Sequence, residues 1–300
     1  MTGTSPDPQV QESIDINPAC EVSLNTLADL FTRSYTNYFV PIEMDASSLS
    51  WLLSTQTIDL ASSVVLDVDG VLAGFTFISV RGLSQRVAAM GVLPEFRGRG
   101  FGQKMLKQCI ENAREVGVHK IVLEVIDKNA HALAIYRQLG FEVSRQLVGY
   151  QHEAATADRK FDDELHEIDP REVAKAAVHE GVGKLPWQIS AESWYATRPP
   201  SRAYTLERSV YAIVSQVTET SARLNAILVP RTKRRKGWGR RMLSALYRKY
   251  PNREWLIPAV IPEDVGSDFF LANGFQRHEI RQYEMVLRLD EASTRYPYEA

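Results

Sequence analysis

One six-residue pattern occurs twice in this chain and limits what it can fold into. Arg97-Gly98-Arg99-Gly100-Phe101-Gly102 follows an apolar segment and opens a helical pattern, and Arg234-Arg235-Lys236-Gly237-Trp238-Gly239 does the same much later. Both read R-x-x-G-x-G. After the first, Gly140-Phe141 closes a helical stretch and starts a strand; after the second, Gly274-Phe275 does likewise, with three fewer residues in between. A repeat of this kind predicts two diverged copies of one α/β unit. The 300 residues, 44% hydrophobic and 24% charged, supply enough apolar material for two domains.

Within the first copy, Leu24 to Tyr38 carries apolar residues at helical spacing. Val64 to Val68 and Val71 to Val80 alternate as a hairpin around Asp69-Gly70, and Val87 to Val92 is a further strand. Gln103 to Glu115 places Met105, Leu106, Cys109, Ile110 and Ala113 on one helical face and stops at Gly117. Ile121 to Ile126 reads as a buried strand, Ala130 to Leu139 as a helix, and Phe141 to Tyr150 as a last strand. The fold class is α/β: two tandem domains, each a twisted mixed sheet flanked by helices. The expected divisions are a flexible tail over 1–18, a first domain over 19–155, a charged linker over 156–168, a degenerate second domain over 169–290, and a C-terminal tail over 291–300.

A strand, a glycine-dense turn and a helix together make an anion site, because amides at a helix N-terminus lack partners and the helix dipole favours negative charge. A pyrophosphate suits such a site. Side chains at Gly98, Gly100 or Gly102 would obstruct it or the turn's backbone angles, while Arg97 and Arg99 add charge. Several other ligand classes find no support. Cys20 and Cys109 are the only cysteines and match no metal-ligand spacing, so no metal is expected. The formal net charge of −2 gives no general attraction to nucleic acid or anionic membrane. With no signal-peptide order at the N-terminus and no long apolar run, a cytoplasmic location is expected.

The run Val92-Leu93-Pro94-Glu95-Phe96-Arg97-Gly98-Arg99-Gly100-Phe101-Gly102, then Leu123-Glu124-Val125, Asn129, Ala132, Tyr136 and Gly140-Phe141, resembles the Gcn5-related N-acetyltransferase (GNAT) superfamily over about residues 20–150. The resemblance implies acetyl-CoA as co-substrate and an amine as acceptor. It implies that Arg97, Gly98, Arg99, Gly100, Phe101, Gly102 and Gln103 hold the CoA pyrophosphate, and that the backbone of Met90, Gly91 and Val92 binds the pantetheine and the acetyl carbonyl. Asn129 would contact the cofactor arm and Tyr136 would lie near the thioester sulfur.

Acyl transfer to an amine needs a neutral nucleophile, a polarised carbonyl and a proton for the departing thiolate. An alkylammonium with a pKa of about 10.4 must first lose its proton. Glu124, which interrupts an apolar strand twelve residues before Tyr136, is the candidate base, a spacing similar to that of the ribosomal-protein alanine acetyltransferase branch. The alternative is a carboxylate that merely pairs with a neighbouring cation or caps a backbone group. Tyr136, as a phenol, is the candidate acid, with packing between helix and sheet as its alternative. The strand from Val87 to Val92 lacks the glutamate that histone-type members keep there. Tyr35, Tyr38, Glu43 and Asp45 follow the first helix, where the family builds acceptor specificity; aromatic packing plus a helix cap is the other reading.

Aligning the two Gly-Phe pairs sets Pro258 against Glu124, Glu263 against Asn129 and Phe270 against Tyr136, so the second copy lacks the acid–base groups. Its loop, Arg234, Arg235, Lys236, Gly237, Trp238 and Gly239, is a second candidate CoA loop; a solvated basic face or a weak contact for RNA or acidic protein are the alternatives. The tandem layout resembles that of mycothiol synthase. The expected function is acetyl-CoA-dependent N-acylation of a small-molecule or peptide amine in the N-terminal half, by a monomeric pseudo-dimer or a homodimer. The alternative is a non-catalytic acyl-CoA-binding regulatory protein.

Overall fold

The computed structural model describes residues 12–37, 39, 42–153, 156–158 and 160–289. It divides the chain into two compact units, one of residues 1–53, 58–121 and 289–300 and the other of residues 54–57 and 122–288.

The first unit is built on four antiparallel strands: β1 (Ile14–Pro18), β2 (Ile58–Val68), β3 (Val71–Arg81) and β4 (Ser84–Val92), in the order β1-β2-β3-β4. Asp69 and Gly70 take left-handed angles, φ 52° and 80°, and join β2 to β3 by the tight turn their sequence announced. Helix α1 (Leu24–Ser34) is capped by Ser23, whose hydroxyl accepts from the Thr26 amide, and it lays Leu27, Leu30 and Phe31 onto Phe75 and Phe77. The Phe31 and Phe75 rings stack 5.1 Å apart. Helix α2 (Ala46–Thr55) follows, and α3 (Phe101–Glu115) buries Met105, Leu106, Cys109, Ile110 and Ala113, the face its periodicity predicts. Strand β1 corrects the expected tail over 1–18: its residues pair from Ile14 with Val68 to Pro18 with Val64, because β2 offers a free edge that local polarity does not reveal. Residues 1–11 and 290–300 lie outside the described residues.

The second unit holds β5 (Lys120–Ile126) from Val122 onward, then α4 (Ala130–Gln138), β6 (Glu142–His152), β7 (His166–Ile168), α5 (Pro170–His179), α6 (Ala191–Tyr195), β8 (Arg202–Leu206), β9 (Val210–Ser215), β10 (Ser221–Leu228), α7 (Trp238–Lys249), β11 (Glu254–Pro262), α8 (Ser267–Ala272) and β12 (Gln276–Arg288). Strand order is β5-β12-β6-β11-β10-β9-β8-β7, a mixed sheet in which β10 and β11 run parallel. The last strands of the two copies are exchanged. β6 pairs antiparallel with β11, the second copy's counterpart of β5, while β12 lies between β5 and β6. The compact units therefore do not divide at the expected boundary, since ladder hydrogen bonds tie residues 142–152 to residues 254–288. Gly149 permits this: a Cβ there would meet the Ile257 oxygen at 2.7 Å and the Ala259 nitrogen at 2.9 Å, both backbone.

The expected linker over 156–168 is also structured in its described part. Ala157 and Leu165 pack against the core around Tyr150, Tyr204, Met242, Leu246 and Trp255. The Ser244 hydroxyl donates to the Asp158 carbonyl at 3.1 Å, and Arg248 donates to the Asp163 carbonyl at 2.7 Å. A charge-rich composition conceals two apolar anchors. Trp194 is buried in a separate cluster with Val173, Ala177 and Ile213. Among the described residues no helix is long and apolar enough to cross a membrane.

Candidate active site

In the first unit the ladder between β3 and β4 shifts register so that Ala88 is an extra residue, a bulge just ahead of the loop. Beyond β4, Leu93 is buried and its amide bonds to the Ala73 carbonyl at 2.8 Å, which fixes the exit from the sheet. Gly98 and Gly100 both sit at φ +78°, and Gly100 is the N-cap of α3. A Cβ at either position would touch nothing within 4 Å. Their requirement for glycine is therefore the left-handed backbone rather than crowding within the protein itself. With glycine as N-cap, no side chain caps the first turn of α3. That leaves its leading amides for an anion.

Arg97 and Arg99 are placed differently from each other. Arg97 donates through Nε to the Val92 carbonyl at 3.1 Å, and through Nη2 to the Ser34 and Thr36 carbonyls at 3.0 and 3.2 Å. It ties the C-terminal end of α1 to the loop and so holds the loop's shape. Arg99 lies 4.8 Å from the centre of the Phe101 ring and pairs with Glu12. Gly91 is fixed by packing: a Cβ there would meet the Ser34 Cβ at 2.6 Å and the Phe75 ring at 3.0 Å. On the opposite face, Met90 and Val92 approach Gly102, whose added Cβ would meet them at 3.6 and 4.0 Å. Tyr35 stacks on Phe31 at 4.7 Å, Asp45 accepts from the Ser48 amide at 2.7 Å at the head of α2, and Glu43 is exposed. The hydrogen bond from Ser48 holds the Asp45 carboxyl below its ordinary range. Tyr38 lies outside the described residues.

In the second unit Glu124 is half-buried on β5 between the buried Leu123 and Val125, with its Oε1 shielded from solvent. Asn129 is the N-cap of α4: its Oδ1 accepts from the Ala132 amide at 3.1 Å. That bond orients the side-chain amide and leaves the NH2 end for a ligand carbonyl. Tyr136 is 8% exposed, and its ring lies 6.0 Å from that of Phe141. Gly140, at φ +89°, ends α4, and the Phe141 amide closes onto the Tyr136 carbonyl at 3.0 Å. Sequence reasoning missed the pair Asp127 and Arg281, which carries no local signal because 154 residues separate its members (281 less 127).

The second copy repeats the first in backbone. Its bulge falls at Asn225 on β10, and Arg234 Nε donates to the Val229 carbonyl at 3.0 Å, as Arg97 does to Val92. Arg235 and Gly237 are left-handed, φ 59° and 80°, matching Gly98 and Gly100. Parallel pairing of β10 with β11 spans only Ser221 to Arg223 against Glu254 to Leu256. The contents differ. The ring of Phe269 packs on Gly239, where a Cβ would meet it at 2.6 Å. Lys233 and Arg241 flank the Trp238 ring at 3.9 and 3.8 Å, and the basic run is met by carboxylates: Arg240 by Asp158, Arg241 by Asp163 and Glu207, and Lys233 by Glu207. Phe270 packs on Tyr150 at 5.0 Å, Pro258 lies in the bulged stretch of β11, and Glu263 pairs with Arg277 at 2.6 Å. All three are used in structure.

The architecture is a mixed sheet with a bulged strand feeding a glycine-capped helix N-terminus. Residues 24–141 match the acetyltransferase (GNAT) family. It is 36% identical over 85 residues to streptothricin acetyltransferase of Streptomyces lavendulae, a stretch that is 28% of this chain and 45% of that one. It is 35% identical over 85 residues to mycothiol acetyltransferase of Clavibacter michiganensis, covering 28% of each. The match thus spans less than half the length of these relatives. In fold, the whole chain is similar to a tandem GNAT protein from the clavulanic acid biosynthesis pathway, with a TM-score of 0.64 at 16% identity, covering 94% of this chain and all of that one.

Proposed function

We propose that this chain transfers an acetyl group from acetyl-CoA to a primary amine of a small molecule or peptide, with the chemistry in its N-terminal half. The observation that carries the reading is the pair of left-handed glycines, Gly98 and Gly100, opening an uncapped α3 inside the segment that matches the GNAT family. The α3 amides hold the CoA pyrophosphate, and the NH2 of Asn129 takes a carbonyl of the pantetheine arm.

Glu124 removes a proton from the acceptor ammonium, directly or through water. The neutral nitrogen then attacks the thioester carbonyl. The resulting oxyanion is met by a β4 backbone amide near Val92, a donor that substitution of a side chain does not remove. When the carbon–sulfur bond breaks, the Tyr136 hydroxyl gives its proton to the CoA thiolate, and the extra proton left on the new amide nitrogen returns to the phenolate directly or through water. Thiolate protonation by a placed acid is worth about 10²-fold or more.

We assign one acetyl-CoA to each chain. In the second copy the Phe269 ring occupies the space over Gly239, the carboxylates of Asp158, Asp163 and Glu207 meet Arg240, Arg241 and Lys233 beside the loop, and Phe270 has no proton to give. Among candidate amines, the streptothricin and mycothiol relatives favour screening small-molecule amines before peptides. A thiol-release assay with an amine panel tests the activity. Turnover in the wild type and its loss in Tyr136→Phe supports the reading; acetyl-CoA binding with no amine turned over would replace it with the regulatory alternative.

A further inference from the structure

The strand that the second copy lends to the first carries an arginine at the turn leading into α4. Arg281 Nε forms an ion pair with Asp127 Oδ2 at 3.0 Å, and the Asp127 amide donates to the Arg281 carbonyl at 3.0 Å. The same two residues are thus joined by main chain and by side chain. Asp127 ends β5. Its side chain is 8% exposed, and its Oδ1 is buried with no hydrogen-bond partner among the described residues. Arg281 is therefore the cation that offsets the burial of this carboxylate; without it the charge is left uncompensated and the turn must open toward water.

What the turn carries is Asn129. The Asn129 amide donates to the Ile126 carbonyl at 2.9 Å, so residues 126–129 form one tight turn, pinned at its start by Arg281 and at its end by the cap on Ala132. The place of Arg281 is itself set by a bulge. The ladder between β12 and β6 leaves register at Arg277 opposite Tyr150 and resumes at Arg281 opposite Val148. Gln282, the next residue, donates to the Ala259 carbonyl at 2.9 Å and links this bulge to the one in β11.

We propose that Arg281 is a positioning residue which, through Asp127, aims the Asn129 amide at the pantetheine arm. The last strand of the second copy thereby sets cofactor geometry for the first. This rests on the reading of Asn129 as the contact for the cofactor arm. The probes are acetyl-CoA and 3′-phospho-ADP, the fragment of CoA that lacks pantetheine, titrated calorimetrically into the full chain.

Arg281→Ala and Asn129→Ala should each weaken acetyl-CoA on the order of tenfold, and the double variant should be no weaker than either alone, because both remove one contact. Arg281→Lys should keep most of the affinity, and 3′-phospho-ADP should bind all four proteins as it binds the wild type. Unchanged acetyl-CoA affinity in Arg281→Ala, additive losses in the double variant, or parallel loss of 3′-phospho-ADP would each overturn the proposal, the last by marking a general structural role. A wild type that binds neither probe would instead sink the acetyltransferase reading on which it stands.

Discussion

The loop at 97–102 and the loop at 234–239 have nearly the same backbone and different contents. Each follows a bulged strand, each is braced by an arginine Nε on a carbonyl five residues back, and each ends in a left-handed glycine at the head of a helix. At the other left-handed position the first copy has Gly98 and the second has Arg235. A non-glycine residue there costs roughly 1–2 kcal/mol, so the second loop keeps its shape against a local preference. No side chain caps the first turn of either helix, but the Phe269 ring packs on Gly239 and carboxylates meet Lys233, Arg240 and Arg241 beside the second loop, whereas Gly102 has only ordinary neighbours. The two copies thus share a backbone and differ in the side chains set on it, because strands and helices are built around the loop whatever side chains it carries.

The sharpest break in this comparison is at the acid. Tyr136→Phe should lower kcat by about 10²-fold or more with acetyl-CoA affinity nearly unchanged, and Phe270→Tyr added to it should restore nothing. Recovery of turnover in the double variant, read by thiol release, would mean the second copy is a working site. Next in size is the exchanged strand. Residues 1–155 alone lack β11 and β12, the two partners of β6, and should show no cooperative thermal transition by circular dichroism, whereas the full chain should. A soluble, cooperatively folding fragment would show that the exchange is dispensable.

Packing over the two second glycines separates them by a smaller amount. Gly239→Ala drives a methyl into the Phe269 ring and should cost about 1–2 kcal/mol in urea denaturation, while Gly102→Ala meets only ordinary contacts and should stay within about 0.5 kcal/mol. Smallest is the left-handed position. Arg235→Gly should stabilise by about 0.5 kcal/mol, strain relief outweighing the added freedom of the unfolded chain, and Gly98→Ala should destabilise by about 1 kcal/mol.

Much of the first copy was legible because its signals are local. Asp69-Gly70 names its own turn, the spacing of Met105, Leu106, Cys109 and Ile110 names the buried face of α3, and Gly140 names the end of α4. The buried face has a chemical consequence, since burial pushes the Cys109 thiol up to about 12. What stayed hidden depends on partners far along the chain. Nothing near Gly149 says that β11 will approach it, nothing in Ile14-Asp15-Ile16 says that β2 has an edge to offer, and Asp127 gives no hint of Arg281. The expected linker misled in another way, because its acids looked solvated yet Asp158 and Asp163 meet the arginines of α7. Of the candidate site, the glycines, Asn129 and Tyr136 were readable as a motif, but the bracing role of Arg97 was not, since charge alone does not distinguish a phosphate ligand from a brace on carbonyls.

The most direct test of the central claim is calorimetric titration of the full chain with acetyl-CoA, repeated on Gly100→Asp and Gly237→Asp. One site per chain, abolished by Gly100→Asp and kept in Gly237→Asp, is the predicted result, because a carboxylate at the head of α3 repels the pyrophosphate and one at the head of α7 meets no ligand. Two sites, or a single site lost only with Gly237→Asp, would contradict the assignment of the chemistry to the N-terminal half.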